Sequence, residues 1–134
     1  MKIFKTSGYL RYSGQGDRLK LVVEIDKDLS DYYRSLIPKS FHVQKPRWPA
    51  HCTVVRTSKE RPALLDAWKK YEGERIELEY NPYVMIDNVY YWLNTWNDRL
   101  VDIRTELGLP PKSRLTMSPS GGHQCFHITI ANKK

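Results

Sequence analysis

The alternation of apolar and polar residues predicts strands along much of the chain. From Leu19 to Ile25, for example, every second residue is apolar, as in a strand with one buried face. Five segments show this pattern: 19–25, 51–56, 76–80, 89–93 and 125–131. Residues 83–86 add a short apolar segment.

Apolar residues at spacings of three and four predict three helices. The first is capped by Asp28 and extends to residue 37, before a proline. The second covers residues 62–73, from a proline to a glycine. The third is capped by Asn94 or Thr95 and ends near Leu107, before a glycine.

The order strand, helix, strand occurs twice, in residues 19–56 and again in residues 89–131, and each unit ends with a His-x-Thr motif. This repetition predicts a single α+β domain spanning residues 1–134, with two lobes related by a pseudo-twofold axis. Antiparallel sheets would flank a central cleft, with the helices outside and the two motif strands facing each other across the cleft.

Charge and hydropathy narrow the class of partner. The 134 residues carry a formal net charge of +7, which favours anionic partners and fits a phosphate-bearing substrate. No stretch approaches the ~18 apolar residues of a membrane span, and the first residues do not resemble a secretion signal. We therefore expect a soluble cytoplasmic protein.

The two cysteines, Cys52 and Cys125, lie in apolar strand-like segments. This favours small buried side chains over a disulfide between them. Cys125 and His127 share a strand face, but no further ligands with zinc-site spacing accompany them. We expect no metal and no cofactor.

The two His-x-Thr motifs are the candidate chemistry. Because side chains alternate along a strand, His51 and Thr53 share one face, as do His127 and Thr129. If these faces meet, one neutral imidazole accepts a proton from a ribose 2′-OH or from water, and the other, protonated, donates to the leaving oxygen. The threonines would donate hydrogen bonds to phosphoryl oxygens. This predicts metal-independent phosphodiester cleavage, without showing which histidine is the base.

The motifs resemble a known family. Residues 49–56, PAHCTVVR, and 126–132, FHITIAN, are similar to the paired motifs of the two-histidine (2H) phosphoesterase superfamily. Further segments resemble the phage anti-CBASS nucleases of that superfamily: GYLRY at 8–12, DYYRSLIP at 31–38, KERP at 59–62, KYEG at 70–73 and YYWLN at 90–94.

The resemblance implies a nuclease that degrades cyclic oligonucleotide second messengers, such as cyclic di- and trinucleotides, before they activate bacterial immune effectors. It carries the catalytic roles onto His51, Thr53, His127 and Thr129. In that family aromatic residues sandwich the bases, adenine in particular, and by approximate position these would be Tyr12 and Trp92. The resemblance places the protein in the cytoplasm of the infected host cell. It does not imply a nucleic-acid polymer as a stable partner.

Other residues near the motifs are candidates for substrate binding. Trp48 either lines the cleft or packs against the turn before the first motif. Arg56 lies on the strand face opposite His51, so a phosphate contact would need the strand to end or twist there. The Pro-, Ser- and Gly-rich segment 111–122 precedes the second motif and is a candidate lid.

Two alternatives use the same residues differently. Another 2H-type enzyme would open 2′,3′-cyclic phosphates or ligate RNA ends with the same four catalytic residues. A basic RNA-binding module would keep the His-x-Thr motifs for structure alone, and would show salt-dependent binding without turnover.

Overall fold

The computed structural model describes residues 4–110 and 126–134, and this part of the chain is mostly β-structure. The strands are β1 (Phe4–Ser13), β2 (Lys20–Ile25), β3 (Val43–Gln44), β4 (His51–Val55), β5 (Arg75–Tyr80), β6 (Met85–Ile86), β7 (Tyr90–Trp96) and β8 (Phe126–Lys133). The α-helices are α1 (Lys27–Ser35) and α2 (Asp98–Glu106), and short 3-10 helices cover Lys39–Phe41 and Leu65–Ala67. Every strand segment that alternation predicted is confirmed within these ranges.

Six of the strands close into an antiparallel barrel in the order β8-β4-β2-β1-β5-β7, with β7 pairing back onto β8. On one side β8 pairs with β4 through Ile128 and Cys52. On its other side it pairs with β7 along most of its length. The short strands β3 and β6 extend the sheet from β8 and β7.

The predicted two-lobed α+β fold with a pseudo-twofold repeat was wrong. The order strand, helix, strand does occur twice, as β2-α1-β4 and β7-α2-β8. However, the motif strands β4 and β8 are hydrogen-bonded neighbours in one sheet, so they do not face each other across a cleft. The two helices have nine residues each, and no helix in the described ranges has the length and apolar character to cross a bilayer.

The predicted helix at residues 62–73 was also wrong, because only the 3-10 turn Leu65–Ala67 forms there. Lys69 has a positive φ of 69°, which interrupts any right-handed helix. Leu64 and Leu65 are both 56% exposed, whereas Trp68 and Tyr71 pack against the core, so the predicted apolar stripe is not buried as one face. Apolar spacing alone therefore did not produce a helix here.

Both observed helices begin at residues other than those predicted. The N-cap of α1 is Asp26, which accepts a hydrogen bond from the backbone of Asp28. The N-cap of α2 is Asn97, whereas Asn94 and Thr95, the predicted caps, lie in β7. In each case the side-chain oxygen of the observed cap satisfies a backbone amide of the first helical turn.

A continuous row of fully buried side chains runs around the barrel from strand to strand. Leu10, Val23, Cys52, Ile128 and Leu93 follow one another through the paired registers of β1, β2, β4, β8 and β7. Each of the five is 0% exposed. Burying a side chain of this size contributes about 1.5–3 kcal/mol, so the row holds the closed barrel together.

A buried ion pair ties α2 to the end of β4. Arg104 is 0% exposed and donates to both carboxylate oxygens of Glu60, at 3.0 and 2.6 Å. It also donates to the carbonyl oxygens of Val54 at 2.6 Å and Pro110 at 2.9 Å. Burial alone would raise the pKa of Glu60, but hydrogen bonds from Arg104 and the Arg56 backbone amide lower it. The carboxylate therefore stays charged and holds Arg104 against β4.

Replacing Glu60 with alanine leaves the guanidinium of Arg104 buried without its counter-ion. We expect Glu60→Ala to lower the free energy of unfolding by about 3–5 kcal/mol, measured by urea denaturation at pH 7. The control is Lys59→Ala, which changes an exposed neighbour and is expected to stay within about 0.5 kcal/mol of the parent. Equal effects of the two substitutions would contradict a structural role for the pair.

Candidate active site

Barrel closure gathers the two His-x-Thr motifs on the outer face of the sheet. The antiparallel register of β4 and β8 places His51 beside Thr129 and Thr53 beside His127. Opposed Cβ atoms in such a pair lie about 4.5–5.5 Å apart, so the four side chains form one cluster. All four are half-buried, whereas the residues between them point into the barrel and are fully buried. The side chains of this His-x-Thr cluster are partly accessible to solvent, although the Nε2 atom of His127 is buried.

In each motif the residue after the threonine forms a β-bulge. Val54 is the extra residue where β4 pairs with β2, and Ile130 is the extra residue where β8 pairs with β7. Each bulge leaves a carbonyl oxygen for a helix arginine: Arg104 of α2 donates to Val54 at 2.6 Å, and Arg34 of α1 donates to Ile130 at 2.9 Å. The helix of each half of the chain thus supports the motif strand of the other half.

His51 is fixed by the main chain that precedes it. Its Nδ1 lies 2.6 Å from the carbonyl oxygen of Pro49, which only accepts hydrogen bonds, so Nδ1 is the protonated nitrogen. In the neutral ring Nε2 is then the acceptor. Burial lowers the pKa of His51, the hydrogen bond to Pro49 acts in the opposite direction, and the positive charge of Lys20 lowers it further. At neutral pH His51 is therefore suited to accept a proton.

His127 packs against an indole. The ring centroids of His127 and Trp92 are 5.2 Å apart, with their planes inclined by 43°. Trp92 is itself held by its Nε1, which donates to Oδ1 of the buried Asn94 at 2.9 Å. His127 also affects the carboxyl group of Asp87. The backbone amides of Tyr90 and Val89 lower the pKa of Asp87 most, and the charge of His127 lowers it by a smaller amount. An aromatic ring at this distance suits a cationic imidazole.

Two cavities lie on either side of the segment 48–50, immediately before the first motif. The first, of about 290 Å³, is lined by His51 and by the basic residues Arg11 and Lys20. The second, of about 350 Å³, reaches Thr129 of the second motif. Each motif therefore has an adjoining space for part of a ligand.

Trp48 borders both cavities and is 58% exposed. Lys20 Nζ and Arg47 Cζ each lie 5.3 Å from the centroid of its ring. Of the two alternatives that the sequence left open, this placement agrees with lining the binding region. Stacking on an aromatic ring contributes about 1–3 kcal/mol per base, and a base on Trp48 would share the ring with these two cations.

The two aromatic residues predicted to sandwich a base are placed differently from each other. Tyr12 is 7% exposed, and its ring meets Trp68 edge-on at 4.8 Å. Burial raises the pKa of Tyr12 to about 12, and only part of the side chain lines the cavity beside His51. Trp92 lies on the outer face of β7 against His127. The structure does not bring Tyr12 and Trp92 together as two sides of one sandwich.

Arg56 follows β4 directly, so the strand ends there as a phosphate contact would require. Its side chain nevertheless turns to Glu60, with Nε 3.7 Å from Oε1, and is only 18% exposed. Binding a phosphate with Arg56 would break this ion pair.

Sequence patterns did not mark Lys20 or Asn94, which lie near the two histidines on the neighbouring strands β2 and β7. Alternation in β2 does place Lys20 on its outer face, but nothing local shows that β2 pairs with β4. Likewise, Asn94 meets His127 only through the pairing of β7 with β8. Lys20 shares a cavity with His51 but is not paired with it, since the residue opposite His51 in β2 is Glu24.

Some predictions fall on residues that the structure does not describe, namely the lid at 111–122 and the burial of Cys125. The predicted burial of Cys52 is confirmed. Within residues 4–110 and 126–134, no group of three or more His, Cys, Asp or Glu side chains is arranged to hold a metal ion.

Comparisons with protein-family models, with curated proteins and with solved structures found no match. The function is therefore inferred from the geometry of the His-x-Thr cluster and from the motifs of the chain itself.

Burial and, to a smaller extent, the charge of Lys20 should hold His51 in its neutral form. We expect the pKa of His51 to lie below 6.5 in the folded protein and to rise in Lys20→Gln, measured by NMR titration of the imidazole protons. Because the folded pKa is depressed, the contribution of His51 to stability is present above about 6.5 and is lost as the pH falls towards the folded value.

The control for this titration is Lys5→Gln, which removes an exposed positive charge from β1 where it pairs with β5. We expect it to leave the titration of His51 unchanged. A pKa of His51 at or above 6.5 in the parent protein would contradict the predicted environment.

Proposed function

We propose that this protein is a metal-independent phosphodiesterase that cleaves cyclic oligonucleotide second messengers, with cyclic di- and trinucleotides as substrates. The observation that supports it most directly is the pairing of β4 with β8, which gathers two imidazoles and two hydroxyls in one half-buried cluster. The sequence segments that resemble phage anti-CBASS nucleases supply the substrate class. They also supply the biological role, which is to counter CBASS immunity in the cytoplasm of the infected bacterium.

His51 is the general base in this proposal. The hydrogen bond from Nδ1 to the Pro49 carbonyl leaves Nε2 as the acceptor, and burial and Lys20 favour the neutral ring. Nε2 accepts the proton of a ribose 2′-OH, or of a water molecule, as that oxygen forms its bond to phosphorus. A general base of this kind accelerates the step by about 10²–10⁴-fold.

His127 is the general acid. It enters the reaction protonated, packed against the indole of Trp92, and gives its proton to the 5′ oxygen as the bond from phosphorus to that oxygen breaks. One proton is taken up by His51 and one is released by His127, so the pair ends with its protonation states exchanged. Proton exchange with water restores both.

The threonines lie where the phosphoryl charge develops. Thr129 is beside His51 and Thr53 is beside His127, so the two hydroxyls approach the phosphoryl group from both motif strands. Residues diagonal across two antiparallel strands are about 7–8 Å apart, which leaves room for a phosphoryl group between the two imidazoles. Hydrogen bonds from the hydroxyls to the non-bridging oxygens then stabilise the transition state.

The first experiment is incubation of the purified protein with cyclic di- and trinucleotides in excess EDTA, followed by chromatography of the products. We expect cleavage, and losses of at least ~100-fold in His51→Ala and in His127→Ala. Thr53→Val and Thr129→Val each remove one donor to the phosphoryl group, and each should lower kcat by about 10²–10³-fold.

The matched control is His42→Asn. His42 is exposed and has a left-handed φ of 53°, a conformation that asparagine tolerates, so full activity is expected. Turnover of 2′,3′-cyclic phosphates or RNA ends, with cyclic oligonucleotides left intact, would contradict the substrate class. Salt-dependent RNA binding by a folded protein that turns over none of these would contradict catalysis altogether.

The rate should follow a bell-shaped dependence on pH, because one histidine reacts neutral and the other reacts charged. The acid limb of the rate–pH profile reflects protonation of the general base, His51. Its midpoint should therefore lie below pH 6.5, in line with the lowered pKa of His51. It should also move to higher pH in Lys20→Gln. A rate that rises monotonically through neutrality would contradict the acid–base pair.

A further inference from the structure

The cavity of about 350 Å³ that reaches Thr129 has a strongly basic lining. Lys27 and Arg34 contribute from α1, and Lys45 and Arg47 from the segment before the first motif. Among the described residues of the lining, Asp31 is the one acidic side chain. This excess of positive charge favours an anionic ligand.

The basic side chains of this cavity differ in whether a carboxylate is paired with them. Asp31 is engaged with Arg34, whose guanidinium also donates to the bulged carbonyl of Ile130 at 2.9 Å. Among the described residues, no carboxylate lies within ion-pairing distance of Lys27, Lys45 or Arg47. Three cations therefore lack a paired carboxylate, with Arg47 lying over the ring of Trp48, and Arg34 forms the wall beside them.

The basic cavity adjoins the His-x-Thr cluster. Thr129 lines it and also lies beside His51 across the two motif strands. Residues 48–50 separate it from the cavity beside His51, with the exposed ring of Trp48 at the border of both. A chain molecule with one phosphate at the cluster can pass over Trp48 and place its next phosphate in the basic cavity.

We propose that this basic cavity is a second phosphate subsite, which binds the phosphate adjacent to the scissile one. The inference rests on the proposed phosphodiesterase function and adds a requirement to it. A substrate with at least two phosphodiester groups gains contacts with Lys45 and Arg47 that a substrate with one phosphate does not make. The subsite thus selects cyclic dinucleotides and larger rings over 2′,3′-cyclic mononucleotides.

The test is the double substitution Lys45→Ala/Arg47→Ala, which changes two exposed side chains. We expect KM for a cyclic dinucleotide to rise about tenfold or more, with kcat unchanged within about twofold, because charge-assisted contacts to the second phosphate are lost. KM for 2′,3′-cyclic AMP should stay within about twofold of the parent. An equal rise for both substrates, or no rise for either, would overturn the subsite.

The matched control is Lys59→Ala/Arg61→Ala, which also removes one lysine and one arginine. Both residues are exposed, and neither lines the basic cavity. We expect KM for the cyclic dinucleotide to stay within about twofold of the parent in this variant. A rise as large as that of Lys45→Ala/Arg47→Ala would mean that overall charge, rather than the cavity, sets the affinity.

Measuring the binding of a cyclic dinucleotide to the His127→Ala variant tests the subsite independently of catalysis. In this background we expect Lys45→Ala/Arg47→Ala to weaken binding of the cyclic dinucleotide about tenfold, by calorimetry, and to make that binding less sensitive to salt, because fewer charged contacts are screened. If no substrate is turned over but this loss is seen, the subsite stands and the proposed catalysis falls. If turnover is found and the loss is absent, the subsite falls and the phosphodiesterase stands.

Discussion

The double pairing of β8 is the constraint on which the structure and its proposed function depend. β8 hydrogen-bonds to β4 on one side and to β7 on the other, and so closes the barrel. Its inward residues, such as Ile128, complete the core, while its outward residues His127 and Thr129 come to lie beside the first motif. The two motifs are more than 70 residues apart in the sequence, and without this closure they would not be neighbours in space.

Stability and chemistry share the same strands. The residue after each motif threonine is bulged, and a helix arginine binds the carbonyl that the bulge exposes, Arg104 at β4 and Arg34 at β8. Arg104 depends in turn on the carboxylate of Glu60. The bulges beside the His-x-Thr cluster are thus held by hydrogen bonds from helix arginines, while the cluster itself lies on the outer face of the sheet. Arg34 connects this support to the basic cavity, because it also lines that cavity.

Alternation along the sequence predicted β2, β4, β5, β7 and β8 and the polar face of each motif correctly, because a period of two is a local property that needs no knowledge of partners. It did not predict β1, in which Gly8 occupies an inward position without an apolar side chain to mark it. Nor did it predict closure, since the pairing of β7 with β8 is long-range and leaves no local signal. The repeated order of elements was real, but it was wrong to give each repeat its own sheet.

A crystal structure with a non-cleavable phosphorothioate cyclic dinucleotide tests the central claim most directly. The account predicts one phosphorus atom between Nε2 of His51 and the imidazole of His127, within hydrogen-bonding reach of both, on a barrel in which β8 lies between β4 and β7. It also predicts the second phosphate on the far side of Trp48. A phosphorus bound away from the two histidines, or motif strands on separate sheets, would contradict it.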